Sequence, residues 1–218
     1  MYQFVKRIFD FICALLGIIA TSPLWIIAII GILISDRGPI FYTAHRIGKG
    51  NKPFKMFKFR SMRVAKAANE ASLRPDEDRI FPFGHFIRKV KIDELPQLIN
   101  ILNGTMSLVG PRPVAEDQFN LFRTGKWNLA AEVPVGLSGP AALFDFIYGD
   151  QFTDEKEYME KVFETRRELE YVYVKKASIF YDLKMIIYTL ICILYALMGK
   201  ECTWILNELK MAAKESSF

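Results

Sequence analysis

The feature that most constrains this sequence is a long uncharged stretch close to its N-terminus. No charged residue occurs from Phe11 through Ser35. As one straight helix this stretch reaches roughly 37 Å at 1.5 Å per residue, and the hydrocarbon core of a bilayer is about 30 Å thick. A cleaved signal peptide does not fit, because the apolar run is too long and no small-residue cleavage site follows it. The stretch therefore predicts a helix that enters a membrane.

Two details distinguish this helix from a simple transmembrane span. Thr21-Ser22-Pro23 interrupts it near the middle. Proline removes a backbone donor and bends a helix, and neighbouring hydroxyl groups can bind the freed carbonyls. Lys6 and Arg7 precede the stretch and Arg37 follows it, so the positive-inside rule draws both ends to the cytoplasm. A kinked single span and a helix that bends at Ser22-Pro23 and returns to the same face are both compatible; the re-entrant form satisfies both flanks.

Composition indicates a folded polar part joined to a membrane-seeking part. Hydrophobic residues make up 51% of the 218 residues and charged residues 24%, a length that suits a single domain. The net charge of +5 favours anionic partners such as lipid headgroups or nucleotides, although positive-inside bias explains it equally well. No recognised nucleic-acid-binding motif accompanies the charge, so nucleic acid is not expected as a partner.

A strongly basic segment follows the apolar stretch. From Arg37 to Lys66 there are nine Lys or Arg residues and no Asp or Glu. Within it, Phe57-Lys58-Phe59-Arg60 alternates apolar and basic residues, which predicts a half-buried strand with Lys58 and Arg60 on its exposed face. Such a strand either binds phosphate groups or simply faces acidic lipid.

A second apolar region lies near the C-terminus, from Ile179 to Met198, and is broken by Asp182 and Lys184. Its uncharged part, Met185 to Met198, is too short for a confident span. The region predicts a helix that is packed against the domain or lies in the membrane interface.

Two adjacent carboxylates are the sharpest local feature of the sequence. Asp93 stands where an N-cap belongs, Glu94 follows it, and Pro96 falls in the predicted first turn of a helix. The helix macrodipole favours negative charge there and keeps a carboxylate ionised. Such a carboxylate can attack phosphorus or hold a divalent cation that neutralises phosphate oxygens. Alternatively, Asp93 only caps the helix and Glu94 only occupies its first turn.

A rigid segment at Ser107–Pro113 contains the next candidate. Gly110 and the prolines at 111 and 113 fix a tight chain path and hold Arg112 in place. A guanidinium group on a stiff loop suits a phosphate or a carboxylate. The other interpretation is a structural turn with a solvent-facing arginine.

Together these motifs resemble the bacterial sugar transferase family, the small monotopic phosphoglycosyl transferases. The string from Arg88 through Pro113, with DELPQL and NGTMSLVGPRP, resembles the family core. The other matching motifs occur in the same order over roughly residues 1–190: Lys6–Asp10 with Ser22-Pro23 is similar to the re-entrant helix, Lys58–Met62 to the KFRSM strand, and Tyr173–Lys175 and Asp182–Lys184 to the YVK and DLK elements.

The resemblance implies an α/β, mainly helical fold made of a single monotopic domain. Residues 1–36 would form the re-entrant membrane helix bent at Ser22-Pro23. Residues 37–218 would form a catalytic domain with a C-terminal interfacial helix, on the cytoplasmic face of a bacterial plasma (inner) membrane. The implied reaction transfers a sugar 1-phosphate from a UDP-sugar to undecaprenyl phosphate, releases UMP and initiates surface glycan or glycoconjugate assembly.

The same resemblance implies a role for each candidate residue. Asp93 would attack the sugar-linked phosphate and form a phosphosugar-aspartate intermediate, and Glu94 would bind Mg²⁺. Arg88 and Arg112 would steady phosphate or nucleotide, with Lys58 and Arg60 lining the same site. The implied partners are the UDP-sugar, undecaprenyl phosphate and membrane lipids; association as a homodimer is left open.

One region departs from the family pattern. Many members carry an arginine-proline-glycine run followed by an AQVNGR-like stretch; here Val133–Leu143 lacks the arginine, and Phe144-Asp145-Phe146 replaces the polar run. The donor sugar therefore stays open. The departure also supports an alternative function, a catalytically silent membrane scaffold of a glycan-assembly complex, against which the intact Asp93, Glu94 and Arg112 argue.

Overall fold

A computed structural model describes residues 2–64 and 77–216. It confirms a mainly helical α/β fold. The helices are α1 (Tyr2–Ser35), α2 (Pro82–Lys89), α3 (Gln97–Leu102), α4 (Phe119–Phe122), α5 (Pro140–Ile147), α6 (Glu155–Tyr158), α7 (Glu164–Lys176), α8 (Ile179–Leu197) and α9 (Thr203–Ser216), and the strands are β1 (Phe41–Ile47), β2 (Pro53–Phe59), β3 (Ser107–Val109), β4 (Val114–Ala115) and β5 (Gly136–Ser138).

The strands form two small sheets that the Arg112 segment connects. Strand β1 pairs antiparallel with β2 and, on its other side, with β4. Strand β3 pairs parallel with β5, with Ser107 opposite Gly136. Since Arg112 lies between β3 and β4, its loop crosses from one sheet to the other, and each end of the loop is fixed by backbone pairing.

Helix α1 continues through its internal proline. Pro23 lies inside the helix and has no N–H to donate to the carbonyl of Ile19. The Ser22 hydroxyl donates to that carbonyl instead, at 2.8 Å. The prediction that neighbouring hydroxyl groups bind the freed backbone is confirmed.

The N-terminal half of α1 is tied to the domain by buried polar contacts. Lys6 Nζ donates to Asp182 Oδ2 at 2.8 Å, and the Ser107 hydroxyl donates to Asp10 Oδ2 at 2.7 Å. Arg7 Nη2 donates to the Leu102 carbonyl at the end of α3. These contacts join α1 to α8, to β3 and to α3.

The C-terminal half of α1 is packed against the same domain by apolar contacts. Ala28 and Ile32 are fully buried in a cluster with Phe59 and Phe81. Both ends of α1 therefore rest on one folded unit.

Helix α8 buries one side and exposes the other. It packs with α5, α7 and α9 around the main apolar cluster. Its exposed side carries large apolar side chains at helical spacing: Phe180, Leu183, Ile187, Leu190, Leu194 and Leu197. Among the described residues, α1 and α8 are long and apolar enough to cross a membrane, by length and composition only. The interfacial position of α8 stays a prediction.

The helix predicted to begin near Asp93 begins later. Asp93 lies in a short 3₁₀ turn, Ile92–Glu94, and α3 starts at Gln97 with Pro96 at the N-cap position. Because Pro96 has no N–H for an α-helical bond to Ile92, the preceding turn closes with the shorter bond from the Leu95 N–H to the Ile92 carbonyl, 3.1 Å long. The predicted N-cap role of Asp93 is therefore wrong.

Candidate active site

The two adjacent carboxylates share one lysine. Lys58 Nζ on β2 donates to Glu94 Oε1 at 2.9 Å and lies 3.9 Å from Asp93 Oδ2. The Lys58 side chain is 23% exposed and that of Asp93 is 5% exposed. The ammonium group thus partly neutralises two carboxylates that would otherwise repel each other in a poorly hydrated place.

Asn100 holds the lysine strand against the carboxylate segment. This residue on α3 is fully buried. Its Oδ1 accepts from the Phe57 N–H at 2.9 Å, and its Nδ2 donates to the Lys55 carbonyl at 2.8 Å. The amide therefore fixes β2 on both sides of Met56, directly before Lys58. A single asparagine carries no signal of this role in the sequence.

Neighbouring charges give the two carboxylates different pKa values. Burial raises the pKa of Asp93 above its ordinary value, and the charge of Glu94 adds to that effect despite the opposing Lys58. Burial would also raise the pKa of Glu94, but the positive charges of Lys58, Lys91 and Arg112 together hold it below its ordinary value. Glu94 is therefore the more readily ionised carboxylate of the pair, and Asp93 is the more easily protonated one.

One oxygen of Asp93 is left without a partner. Asp93 Oδ1 is buried and has no hydrogen-bond partner within the part of the chain that the structure describes. A buried acceptor without a donor is costly, and such atoms are often found at functional sites. This oxygen is available to a ligand.

Five of the six predicted site residues meet. An opening of about 360 Å³ is lined by Lys58, Arg88, Asp93, Glu94 and Arg112. All of these except Asp93 also line an adjoining space of about 860 Å³, which we call the polar cavity. The Arg88 side chain makes no hydrogen bond or ion pair with the described residues, so its charge is available to a ligand.

Arg60 does not join this group. Its side chain is 4% exposed and forms an ion pair with Asp36, and its guanidinium carbon lies 5.4 Å from the centre of the Phe81 ring. The expected exposed face shared with Lys58 is wrong, because β2 ends at Phe59 and the alternation stops there. Arg60 instead ties the end of α1 to β2.

Close backbone packing places Arg112. The Gly110 N–H donates to the Ser138 carbonyl at 2.9 Å, and the Gly136 N–H donates to the Pro111 carbonyl at 2.8 Å. Arg112 Nε then lies 3.3 Å from Asp145 Oδ2. The predicted rigidity of this loop thus arises from backbone bonds across the β3–β5 pair.

The structure adds three residues that the sequence analysis did not assign. Arg46, Asp145 and Arg166 line the polar cavity beside Arg112. The first lies in the long basic segment and the third in a segment with many charged residues of both signs, so neither carried a distinct signal. Asp145 was visible only as part of a departure from the family pattern.

An apolar groove opens on the same site. It has a volume of about 210 Å³, and Lys91, Glu94 and Arg112 line it as well. Its apolar walls come from α5, α8 and the segments between: Leu95, Leu108, Leu137, Ala142, Leu143, Phe146, Ile186, Leu190 and Ile193. Glu94 and Arg112 therefore stand at the junction of the polar cavity and the apolar groove.

The donor set suits Mg²⁺ better than a self-contained metal centre. Among the described residues no cluster of three or more His, Cys, Asp or Glu residues is placed to hold a metal. Magnesium is usually held by one or two carboxylates, with substrate phosphates and waters completing its octahedron. Asp93, with its unpartnered oxygen, and the ionised Glu94 fit that pattern.

The comparisons with known proteins define the class. Residues 1–196 match the family described as "Bacterial sugar transferase". The chain therefore belongs to the bacterial sugar transferase family, as its motifs indicated.

Three relatives illustrate the range of the match. The chain is 36% identical over 185 residues to the "Uncharacterized sugar transferase EpsL" of Bacillus subtilis (strain 168), with 85% of each chain covered. It is 42% identical over 113 residues to a "Putative undecaprenyl-phosphate N-acetylgalactosaminyl 1-phosphate transferase" of the same strain, covering 51% of this chain and 63% of the relative. It is 34% identical over 191 residues to the "UDP-glucose:undecaprenyl-phosphate glucose-1-phosphate transferase" of Escherichia coli (strain K12), covering 86% of this chain and 39% of the relative. The chain thus spans less than two thirds of the length of several relatives that it matches.

Proposed function

We propose that this protein transfers a sugar 1-phosphate from a UDP-sugar to undecaprenyl phosphate and releases UMP. One observation carries the proposal: Glu94 and Arg112 lie where a polar cavity rich in arginine meets an apolar groove, and Asp93 shares an adjoining opening with both of them. A water-soluble, charged donor and a lipid acceptor need such a junction. The printed names of the relatives from Escherichia coli and Bacillus subtilis describe reactions of this type.

The basic side chains around the carboxylate pair suit the diphosphate of the donor. Lys58, Arg88 and Arg112 converge on the same opening as Asp93. An anionic nucleophile and a diphosphate repel each other, and fixed positive charges offset that repulsion in both the bound and the transition state. Arg112 on its stiff loop is suited to bind phosphate through its planar fork.

Asp93 is the proposed nucleophile. A carboxylate oxygen of Asp93 forms a bond to the sugar-linked phosphorus, the bond from that phosphorus to the bridging oxygen breaks, and UMP leaves. A phosphate oxygen of undecaprenyl phosphate then attacks the phosphosugar-aspartate and regenerates the carboxylate. The unpartnered Asp93 Oδ1 requires no protein hydrogen bond to be broken before attack.

Glu94 is the proposed principal ligand of Mg²⁺, with Asp93 beside it. When bound, the ion would neutralise phosphate oxygens of the donor. Glu94 is suited to this role because its neighbours keep its pKa low, so it is charged throughout the physiological pH range.

The arrangement of α1 supports a monotopic protein on the cytoplasmic face of the bacterial plasma membrane. Its two ends rest on the same folded unit through Lys6 and Asp10 at one end and Ile32 at the other. A full crossing by α1 would separate those ends across the bilayer. The exposed apolar side chains of α8 supply a second surface for the membrane interface.

The test is UMP release from a panel of UDP-sugars, with undecaprenyl phosphate and Mg²⁺, by protein in a membrane mimic. We expect the wild type to release UMP from at least one donor and Asp93→Asn to fall to background. Asp78→Asn is a matched control, because Asp78 is exposed and does not line the site. Equal rates for wild type and Asp93→Asn would contradict the role of Asp93. Absence of release from every donor by folded wild type would favour the silent scaffold.

A further inference from the structure

One carboxylate oxygen holds two arginine side chains together in the wall of the polar cavity. Asp145 Oδ2 lies 3.3 Å from Arg112 Nε and 3.4 Å from Arg166 Nε. The Asp145 residue is 4% exposed, while both arginines line the polar cavity. The two guanidinium groups are therefore neighbours, although their residues lie on a loop and on α7.

Further contacts fix Arg166 and Asp145. The Tyr158 hydroxyl donates to Asp145 Oδ1 at 2.8 Å, and Arg166 Nη1 donates to the Tyr158 oxygen at 2.8 Å. The guanidinium carbon of Arg166 lies 4.2 Å from the centre of the Phe122 ring. Arg166 is thus held by three groups at once, so little orientational freedom would be lost on binding a ligand.

A third arginine, Arg46, lies in the same wall of the polar cavity as Arg112 and Arg166. Glu170 lies 3.9 Å from Arg166 Nε, but it forms a buried ion pair with Arg123. Arg46 also lies close: burial lowers the pKa of Arg46, and the charges of Arg112 and Arg166 lower it further, against Asp117. The charges of Arg46, Arg112 and Arg166 thus act on one another in this part of the cavity.

Arg112 keeps its terminal donors available. It uses Nε toward Asp145, and within the described ranges its two Nη nitrogens make no hydrogen bond. A guanidinium group offers these donors as a planar fork that matches two oxygens of a phosphate. The two Nη nitrogens of Arg112 are therefore available to bind a second phosphate, in addition to a phosphate bound at Lys58 and Arg88.

We propose that Arg112 and Arg166, bridged by Asp145, form a second anion subsite that binds the phosphate of the departing nucleotide. The inference rests on the proposed function: the sugar-linked phosphate lies at Asp93, and the phosphate that leaves within UMP lies at the arginine pair. Arg166 contacts this phosphate, and Asp145 is a positioning residue that sets the spacing of the two guanidinium groups. The segment that departs from the family pattern thereby contributes the bridge.

The test compares UMP with uridine, which differ by the phosphate alone. Binding of each to purified protein in a membrane mimic is measured by isothermal titration calorimetry. We expect Arg166→Gln to weaken UMP binding roughly tenfold or more, the loss of one hydrogen bond between charged groups, and to leave uridine binding unchanged. Asp145→Asn, which preserves shape, should weaken UMP binding in the same selective way.

Arg167→Gln is the matched control. Arg167 follows Arg166 on α7, forms an ion pair with Glu164 and does not line the polar cavity. Its UMP affinity should equal that of the wild type. Melting temperatures of all variants show whether any loss reflects unfolding, and the near-isosteric Asp145→Asn provides a second variant if Arg166→Gln does not fold.

Each outcome separates this subsite from the proposed function. Unchanged UMP affinity in Arg166→Gln, or an equal loss for UMP and uridine, overturns the subsite even if the wild type releases UMP from a UDP-sugar. A wild type that neither binds UMP nor releases it overturns both. Selective loss of UMP binding in both variants supports the subsite.

Discussion

At the scale of single residues, one lysine side chain partly neutralises both carboxylates of the site. Lys58 contacts Glu94 directly and approaches Asp93, and its charge opposes the effect of burial on the pKa of Asp93. Lys58 therefore offsets the negative charge of the two carboxylates before any donor is bound. With the donor present, the same ammonium group offsets the charge of the diphosphate.

Replacing Lys58 with methionine tests this double role. We expect Lys58→Met to slow UMP release on the order of 10²-fold, as for removal of one preorganised electrostatic contact to a transition state. Lys58→Arg should recover part of the rate because it keeps the charge. Lys55→Met serves as the control, since Lys55 lies on the same strand and its side chain is exposed. A wild-type rate in Lys58→Met would exclude an electrostatic role for this residue.

The sequence predicted the position of a side chain where a local motif fixes it. It failed where contacts with residues distant in the sequence determine that position. Glu94 and Arg112 lie in motifs, and the structure brings them together. Arg60 follows an alternating pattern, but its exposure depends on Asp36, a residue on the far side of a hairpin. Arg166 became visible only when folding placed it beside Asp145. A pattern in sequence contains no information on such pairings.

At the scale of elements, the β3–β5 pair sets the position of the Arg112 loop. Gly136 packs against the backbone of Gly110, and a Cβ atom at position 136 would come within 2.7 Å of Gly110 Cα. The obstacle is backbone, so it cannot move aside as a side-chain end would. The absence of a side chain at Gly136 is what allows the two segments to exchange their hydrogen bonds.

Gly136→Ala should therefore disturb both stability and ligand binding. We expect a loss of roughly 1–3 kcal/mol in stability from overpacking and weaker UMP binding, because Arg112 shifts with its loop. Thermal unfolding and calorimetry with UMP measure the two effects. Gly17→Ala is the comparison, since its Cβ would lie 3.4 Å from the flexible Leu98 side chain. Unchanged UMP affinity in Gly136→Ala would show that this packing does not position Arg112.

The elements themselves were largely predictable, and their ends less so. The apolar stretch predicted α1, and alternation predicted β2. The start of α3 was misplaced because Asp93 satisfies the sequence rule for an N-cap, whereas Pro96 forces a tighter turn before the helix. The sequence of α7 is rich in charges of both signs, yet the helix buries Arg166, Glu168 and Glu170. Opposite charges at helical spacing indicate a helix but not which face is covered.

At the scale of the whole molecule, α1 is part of the folded domain as well as an apolar helix. Polar contacts attach its first turns to α8 and β3, and apolar contacts attach its last turns to β2 and α2. Buried ion pairs such as Lys6–Asp182 are costly to break by removing one partner, about 3–5 kcal/mol. The basic flanks left a kinked single span and the re-entrant form both open, and the family resemblance implied the re-entrant form. The structure adds a physical reason for it, because a crossing helix would have to release one set of contacts.

This arrangement leads to a prediction about topology. Tags at residue 1 and residue 218 should both lie on the cytoplasmic side, because in the proposed re-entrant form α1 returns to the face that it leaves. Reporter fusions that are active on only one side of the membrane measure the position of each tag, and a protein with one known transmembrane span provides the control. A periplasmic N-terminus would contradict the re-entrant form and would require the Lys6–Asp182 pair to be broken in the membrane. Cytoplasmic tags at both ends, together with tight membrane association, would place the carboxylate pair where a soluble nucleotide sugar and a lipid phosphate can both reach it.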